Sequence, residues 1–173
     1  MGHQAQQTGE TTFVQRRVKD DSHAVLSVEP DRALVLSFRE GNAMPLNRGA
    51  VAKVLLAFTP SQFRRDYVNR MSDDEDRRAA FVRDLETIRA EGFAESEAEV
   101  DEGIWGGAVP LRFDGSVIAA LSIAGPVFRL DAEKRKVVRR LCQWPFFSPR
   151  GRPGVFPAGG HLDLPDDGQI IPR

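Results

Sequence analysis

A pair of apolar runs joined by a short polar turn constrains the fold of this chain most strongly. The runs are residues 104–113 and 117–123, and the turn between them is Asp114-Gly115-Ser116. An Asp-Gly step between two apolar runs is among the strongest hairpin signals that a sequence offers. The pattern therefore predicts two neighbouring antiparallel strands, the second of which is ended by Gly125-Pro126.

Three further strands are predicted ahead of this hairpin. Residues 12–18 alternate with a period of two, residues 24–28 form a second apolar run, and residues 33–38 form a third. Polar turns at residues 20–22 and 30–31 separate them. Because these connections are only a few residues long, the strands are expected to pair antiparallel.

Three helices are predicted between the two groups of strands. Residues 50–58 are rich in helix formers and stop before Pro60, where a second helix begins that runs to about Met71. Residues 72–75 have the Ser-x-x-Glu pattern of a capping box, which starts a third helix, and Gly92 is placed to end it. The apolar face of the third helix carries Phe81, Leu85 and Ile88.

The rest of the chain divides into a connector, a last helix and a tail. Residues 93–103 are an acidic connector, and Asp131 is predicted to cap the last helix. Residues 142–173 hold six of the eleven prolines and five of the fifteen glycines, a composition typical of a tail or arm. The prediction is an α+β domain around an antiparallel sheet over residues 8–141, preceded at residues 1–7 by a vector remnant or linker end.

Charge and cysteine content exclude several functional classes. The chain has 24 basic and 25 acidic residues, so it lacks the excess of basic residues that a protein uses to bind the phosphates of nucleic acid. Cys142 is the only cysteine, which rules out an intramolecular disulfide and indicates a reducing, cytoplasmic compartment. No apolar run reaches the ~20 residues of a membrane helix. The chain is therefore expected to contact neither DNA nor a membrane by itself.

Metal and nucleotide binding are not predicted either. The three histidines are scattered without companion ligands. The five carboxylates of residues 95–102 lack the spacing of an EF-hand, so a solvated loop is expected there. Lys53 lacks the glycine frame of a phosphate-binding loop. No cofactor is predicted.

Three ordered stretches resemble the effector-binding domain of IclR-type bacterial transcriptional regulators. They are Thr8-Gly9-Glu10-Thr11, the loop and helix of residues 45–58, and residues 88–126, which include Ala119-Ala120-Leu121-Ser122-Ile123-Ala124-Gly125-Pro126. Asn47 and Ala52 depart from the histidine and glycine usual in that family. The likeness covers roughly residues 8–141.

The resemblance implies a GAF/profilin-like fold, with an antiparallel sheet flanked by helices and a small-molecule pocket on one sheet face. Members of the family also carry an N-terminal winged helix-turn-helix, which is not expected in this chain because only seven residues precede residue 8. They commonly assemble as dimers of dimers. A dimer or tetramer is therefore expected.

The candidate binding site centres on the start of the helix at residues 50–58. Small residues there leave the first amides, which have no intrahelical partner, accessible to an anionic oxygen; the alternative is that they only permit tight packing on the sheet. Ser122 is either a ligand contact or bonded to a backbone carbonyl. With the contacts that the resemblance implies, the predicted effector-binding residues are Leu34, Leu36, Ala50, Val51, Ser96, Ile104, Gly106, Ser122 and Ala124.

The functional prediction is a sensor of a small organic acid that self-associates and controls DNA binding by the family's N-terminal domain. One alternative is an oligomerisation module whose pocket is vestigial. Another is a hydrolytic enzyme that uses Ser122 or the acidic connector. Because no nucleophile–base pair is visible in the sequence, no catalytic residue is predicted and the chain is not expected to be an enzyme.

Overall fold

The computed structural model describes residues 2–37, 41 and 43–143. The strands are β1 (Thr11–Val18), β2 (Asp21–Val28), β3 (Ala43–Pro45), β4 (Ala94–Glu97), β5 (Ile104–Phe113) and β6 (Ser116–Pro126). The helices are α1 (Gly2–Thr8), α2 (Ala50–Ala57), α3 (Ser61–Met71), α4 (Glu75–Glu91) and α5 (Ala132–Gln143), and a 3-10 turn spans Val127–Arg129. None of the helices in these ranges is long and apolar enough to cross a membrane.

The six strands form one antiparallel sheet in the order β3-β2-β1-β6-β5-β4. The predicted hairpin forms β5 and β6: Phe113 pairs with Ser116, and both residues between them, Asp114 and Gly115, have positive φ. Two positive φ angles are what the tightest hairpin turn requires, which explains the Asp-Gly step. The predicted α+β class, a GAF/profilin-like antiparallel sheet flanked by helices, is confirmed.

Both faces of the sheet are covered, and each face has its own core. The helix α2 packs on one face, where Phe13, Ala120 and Ala124 contribute to a core with α3 and α4. The opposite face carries Trp105 and Ile123, which pack with α5. Successive residues of β1, β5 and β6 therefore point into different cores.

The helix boundaries follow the sequence signals closely, with one shift. Gly92 ends α4 with a left-handed φ of 64°, and Asp131 accepts a hydrogen bond from the amide of Lys134 at the start of α5. The predicted cap at Ser72 is wrong, because Asp74 accepts from the amide of Arg77 and is the cap of α4. The hydroxyl of Ser72 instead accepts from the amide of Asp74, in the turn before the helix.

The predicted strand at residues 33–38 is also wrong over residues 33–37, and Phe38 lies outside the described residues. The carbonyl of Leu36 accepts from the Thr11 hydroxyl (2.6 Å), and that of Leu34 accepts from the Arg129 guanidinium (3.2 Å). The side chains of Thr11 and Arg129 thus bind carbonyls that a neighbouring strand would otherwise bind. The outer edge of β2 pairs with β3 and not with residues 33–37. The connector differs too, because Ala94–Glu97 is the strand β4 and not a solvated loop.

The end of α5 lies two residues beyond the predicted domain boundary at residue 141, and the predicted tail from residue 144 onward lies outside the described residues. Cys142 is 2% exposed and packs in the core on the α5 side. Burial raises the pKa of its thiol from 9.0 to about 12.

We expect the Cys142 thiol to resist alkylation by iodoacetamide in the native protein and to react rapidly in urea, because the thiolate is the reactive species. The unfolded thiol ionises above its ordinary pKa while the folded thiol stays protonated, so stability should fall as the pH rises above about 9. Rapid labelling without denaturant would contradict a buried Cys142.

Candidate functional site

A cavity of about 110 Å³ lies between the start of α2 and the sheet face beneath it. Its floor comes from β1, β5 and β6, and its rim comes from β4, the loop before β5 and the segment at residues 36–37. The lining residues are Phe13, Gln15, Leu36, Ser37, Met44, Gly49, Ala50, Val51, Ser96, Val100, Asp101, Ile104, Gly106, Ser122 and Ala124. Most of the wall is therefore apolar, with a few polar groups at separate points.

The cavity exists because the floor is built from small residues. Gly106 pairs with Ala124 on β6 and with Ser96 on β4, so three small residues lie side by side. A methyl group added at Gly106 would be 3.6 Å from the Ala124 Cβ and the Ser96 Oγ, which is ordinary van der Waals contact. The backbone at Gly106 thus leaves free space above it.

The first two amides at the start of α2 are already bound by side chains. The amide of Gly49 donates to the Glu99 carboxylate (3.0 Å), and that of Ala50 donates to the Ser96 hydroxyl (3.0 Å). Val51 also lines the cavity, and its amide has no acceptor within the helix. The amide of Val51 and the hydroxyl proton of Ser96 are therefore the donors that this end of α2 still has to offer.

Glu99 has a structural role beside the cavity. Its carboxylate accepts from the ammonium of Lys53 (2.7 Å), which also pairs with Asp84 (3.2 Å). The side chain of Lys53 is only 7% exposed, so these contacts compensate for the burial of its charge. The network holds the segment after β4 against α2 and thereby fixes one wall of the cavity.

The hydroxyl of Ser122 donates to the carbonyl of Gly107 (3.0 Å), which is the backbone alternative foreseen from the sequence. Ser122 is 1% exposed and still lines the cavity floor, where its oxygen can accept a further hydrogen bond. Ser96 has the opposite capacity. Its oxygen accepts from Ala50, which leaves its proton to be donated.

Eight of the nine predicted site residues line this cavity: Leu36, Ala50, Val51, Ser96, Ile104, Gly106, Ser122 and Ala124. Leu34 does not line it, because its side chain is 58% exposed. The resemblance implied Leu34 and Leu36 as walls of the pocket on a predicted strand, but residues 33–37 are not a strand and the two side chains do not share a face.

Sequence reasoning missed several lining residues, of which Gln15 is the most informative. It lies two positions after Phe13 on β1, so both side chains point to the same face of the sheet. Gln15 is 1% exposed and its Oε1 has no hydrogen-bond partner in the described part of the chain. The period-two pattern of residues 12–18 places Gln15 on the same face as Phe13, but it does not show which face carries the cavity.

Solved structures with this architecture are domains of bacterial transcriptional regulators. A C-terminal domain of a transcriptional regulator from Vibrio cholerae is 30% identical, with a TM-score of 0.68 over 79% of this chain and 84% of that one. An IclR-family regulator from Rhodococcus sp. gives a TM-score of 0.76 at 24% identity over 83% of this chain and 56% of that one. The fold is thus that of a regulator's C-terminal domain.

The chain belongs to the IclR family. The family model described as "Bacterial transcriptional regulator IclR C-terminal" matches residues 1–144 of the 173. The HTH-type transcriptional regulator KdgR of Dickeya chrysanthemi is 32% identical in an alignment of 109 residues that covers 56% of this chain and 34% of that regulator. The match therefore spans about a third of the length of this curated relative.

Proposed function

We propose that this domain binds a small-molecule effector in the cavity beneath α2 and self-associates. Occupancy of the cavity would then control DNA binding by an N-terminal winged helix-turn-helix of the kind that IclR-type regulators carry. The single observation that supports the proposal best is a cavity of about 110 Å³ lined by eight of the nine residues predicted from the sequence to bind an effector. Because bacterial DNA lies in the cytoplasm, the proposed location is cytoplasmic.

A small organic acid is the proposed class of effector. An engineered protein cavity of ~150 Å³ holds a benzene molecule, so the smaller cavity of about 110 Å³ supports an effector of no more than about that size. The amide of Val51 and the hydroxyl of Ser96 are donors suited to a carboxylate at the positive end of α2. Asp101 at the rim disfavours a second negative charge on the same ligand.

Self-association is supported by apolar side chains that the monomer leaves exposed. Phe128 is 74% exposed, Phe113 is 58% exposed and Ile118 is 54% exposed. Contiguous exposed apolar groups are typical of surfaces that bind another protein, and Phe113 and Ile118 lie near the same end of the β5–β6 hairpin. Multi-angle light scattering that finds only monomers would remove this part of the proposal.

The hydrolytic alternative has no support in the cavity. The hydroxyl of Ser122 donates to a backbone carbonyl and not to a basic side chain, and neither histidine nor lysine is among the described lining residues. The oligomerisation module with a vestigial pocket remains the main competitor. It predicts dimers or tetramers that no small molecule stabilises.

A thermal-shift screen against small carboxylates tests the proposal. We expect a ligand at ~100 times its dissociation constant to stabilise the domain by about 2.7 kcal/mol. Replacement of Ser122 by leucine should abolish this shift, because the larger side chain occupies the cavity floor. Circular dichroism of the unliganded variant serves as the control for folding. If no member of a broad panel shifts the melting temperature, the vestigial-pocket alternative is favoured.

A further inference from the structure

The amide of Gln15 is buried in the cavity without a complete set of hydrogen bonds. Its cross-strand neighbours are Ala24 on β2 and Ala120 on β6, whose methyl groups offer no hydrogen bond. Gln15 is 1% exposed, and its Oε1 has no partner among the described residues. A buried acceptor left unpaired costs stability, so a position that keeps one calls for a physical reason.

We propose that Gln15 is a specificity-determining residue whose Oε1 accepts a hydrogen bond from the effector. The effector is then a small acid that also carries a hydrogen-bond donor, namely a hydroxyl or an amide. This inference rests on the proposed function, since it assigns a ligand class to the same cavity. It concerns the floor of the cavity, whereas the carboxylate is assigned to the start of α2.

The hydrogen-bonding capacities of the other polar lining groups agree with this assignment. Ser122 already donates its proton to Gly107, so it can only accept from a ligand. Gln15 and Ser122 therefore present two acceptors on one sheet face, on the neighbouring strands β1 and β6. A plain alkyl acid brings no donor and leaves both acceptors without a hydrogen bond, and a keto group can only accept from the Gln15 amide nitrogen. A hydroxyl group can donate to one of them and also accept from the Gln15 amide nitrogen.

An unpaired oxygen alone would not indicate a ligand, and Thr12 shows the difference. Its Oγ1 is likewise buried without a partner, but Thr12 lies on the opposite face of β1 and does not line the cavity. Among the described residues, Gln15 is the one that both lines the cavity and has a buried oxygen without a partner. Thr12 is therefore a matched control on the same strand.

The test uses pairs of acids in which a hydroxyl replaces a methyl group at equal size. Lactate is compared with isobutyrate, and 3-hydroxybutyrate with isovalerate, by isothermal titration calorimetry of the complete chain. We expect the hydroxy acid of the fitting pair to bind about tenfold to a hundredfold more tightly, because its methyl counterpart leaves a buried acceptor unpaired.

Substitution of Gln15 by methionine, which has a similar shape, should abolish this preference. It should also raise the melting temperature of the unliganded protein by a few degrees, because an unpaired polar group is removed. The control Thr12→Val should raise the melting temperature in the same way and keep the preference for the hydroxy acid.

The outcomes separate the inference from the proposed function. If hydroxy and methyl acids bind equally well to the native chain, or if Q15M keeps the preference, the role of Gln15 is overturned while effector binding stands. If none of the four acids binds and the wider carboxylate screen also finds nothing, the proposed function fails and the inference fails with it. A hydroxyl preference that is lost in Q15M and kept in T12V supports both.

Discussion

Replacement of Arg129 by methionine is expected to lower the free energy of unfolding by about 3–5 kcal/mol, because it leaves the carboxylate of Glu10 buried and unpaired. The two side chains form a bidentate ion pair at 2.7 and 2.8 Å, and that of Glu10 is only 3% exposed. The hydrogen bond to Glu10 raises the pKa of Arg129, so the guanidinium stays charged wherever the domain is folded.

This ion pair joins parts of the chain that are far apart in sequence. Glu10 lies just before β1 and Arg129 just after β6, and the same guanidinium also binds the carbonyl of Leu34. Gly125 makes the arrangement possible, since a methyl group there would collide with the Glu10 carboxylate. Loss of the arginine should therefore loosen the segment that carries Leu36 over the cavity, besides lowering global stability.

Urea denaturation followed by circular dichroism measures the effect. The control is Arg70→Met, which breaks an exposed pair with Asp20 and is expected to cost about 1 kcal/mol or less. Replacing Glu10 and Arg129 together by methionine should recover most of the loss, because no unpaired charge then remains buried. If R129M lowers the free energy of unfolding no more than R70M does, the buried ion pair does not stabilise the domain as argued.

Local signals in the sequence predicted much of the fold correctly. The turn at Asp114-Gly115, the left-handed Gly92 and the cap at Asp131 each depend on a few neighbouring residues, and each lies where it was expected. The strand prediction for residues 33–37 failed because the conformation of this segment depends on Thr11 and Arg129, which bind its carbonyls from distant parts of the chain. An apolar run does not contain that information.

The site was predictable only in part, for a related reason. Both faces of the sheet are covered, so Thr12 and Phe13 are both buried although they point in opposite directions. Alternation of polar and apolar residues then no longer marks the inner face, and Gln15 could not be assigned to a cavity from β1 alone. Leu34 was wrongly predicted to line the cavity because the sequence likewise does not show in which direction its side chain points. In the structure this side chain is exposed.

Replacement of Gly106 by valine is expected to weaken effector binding roughly a hundredfold, because forcing a ligand against the added side chain costs about 1–3 kcal/mol or more. The Cβ itself fits, at 3.6 Å from Ala124 and Ser96, and the rest of the side chain extends into the cavity. The unliganded domain should be as stable as the native protein or slightly more so, since glycine is unfavourable within a strand by ~0.5–1 kcal/mol.

The adjacent residue, Gly107, is a matched control for which the opposite results are expected. A Cβ at Gly107 would lie 2.7 Å from Cη2 of Trp105 and 3.1 Å from Cζ of Phe93, in the core on the α5 side. Gly107→Ala should therefore lower the free energy of unfolding by about 1–3 kcal/mol through overpacking. Because that residue points away from the cavity, the affinity for the effector should stay close to that of the native chain.

Both variants are measured in the same two assays, urea denaturation and calorimetric titration with the acid that stabilises the native chain most. The structure requires opposite results: G106V loses ligand and keeps stability, whereas G107A loses stability and keeps ligand. Unfolding of both variants would mean that the sheet tolerates no side chain at either position. Normal binding by G106V would show that the effector occupies a different site, because a ligand beneath α2 and a valine at residue 106 compete for the same space.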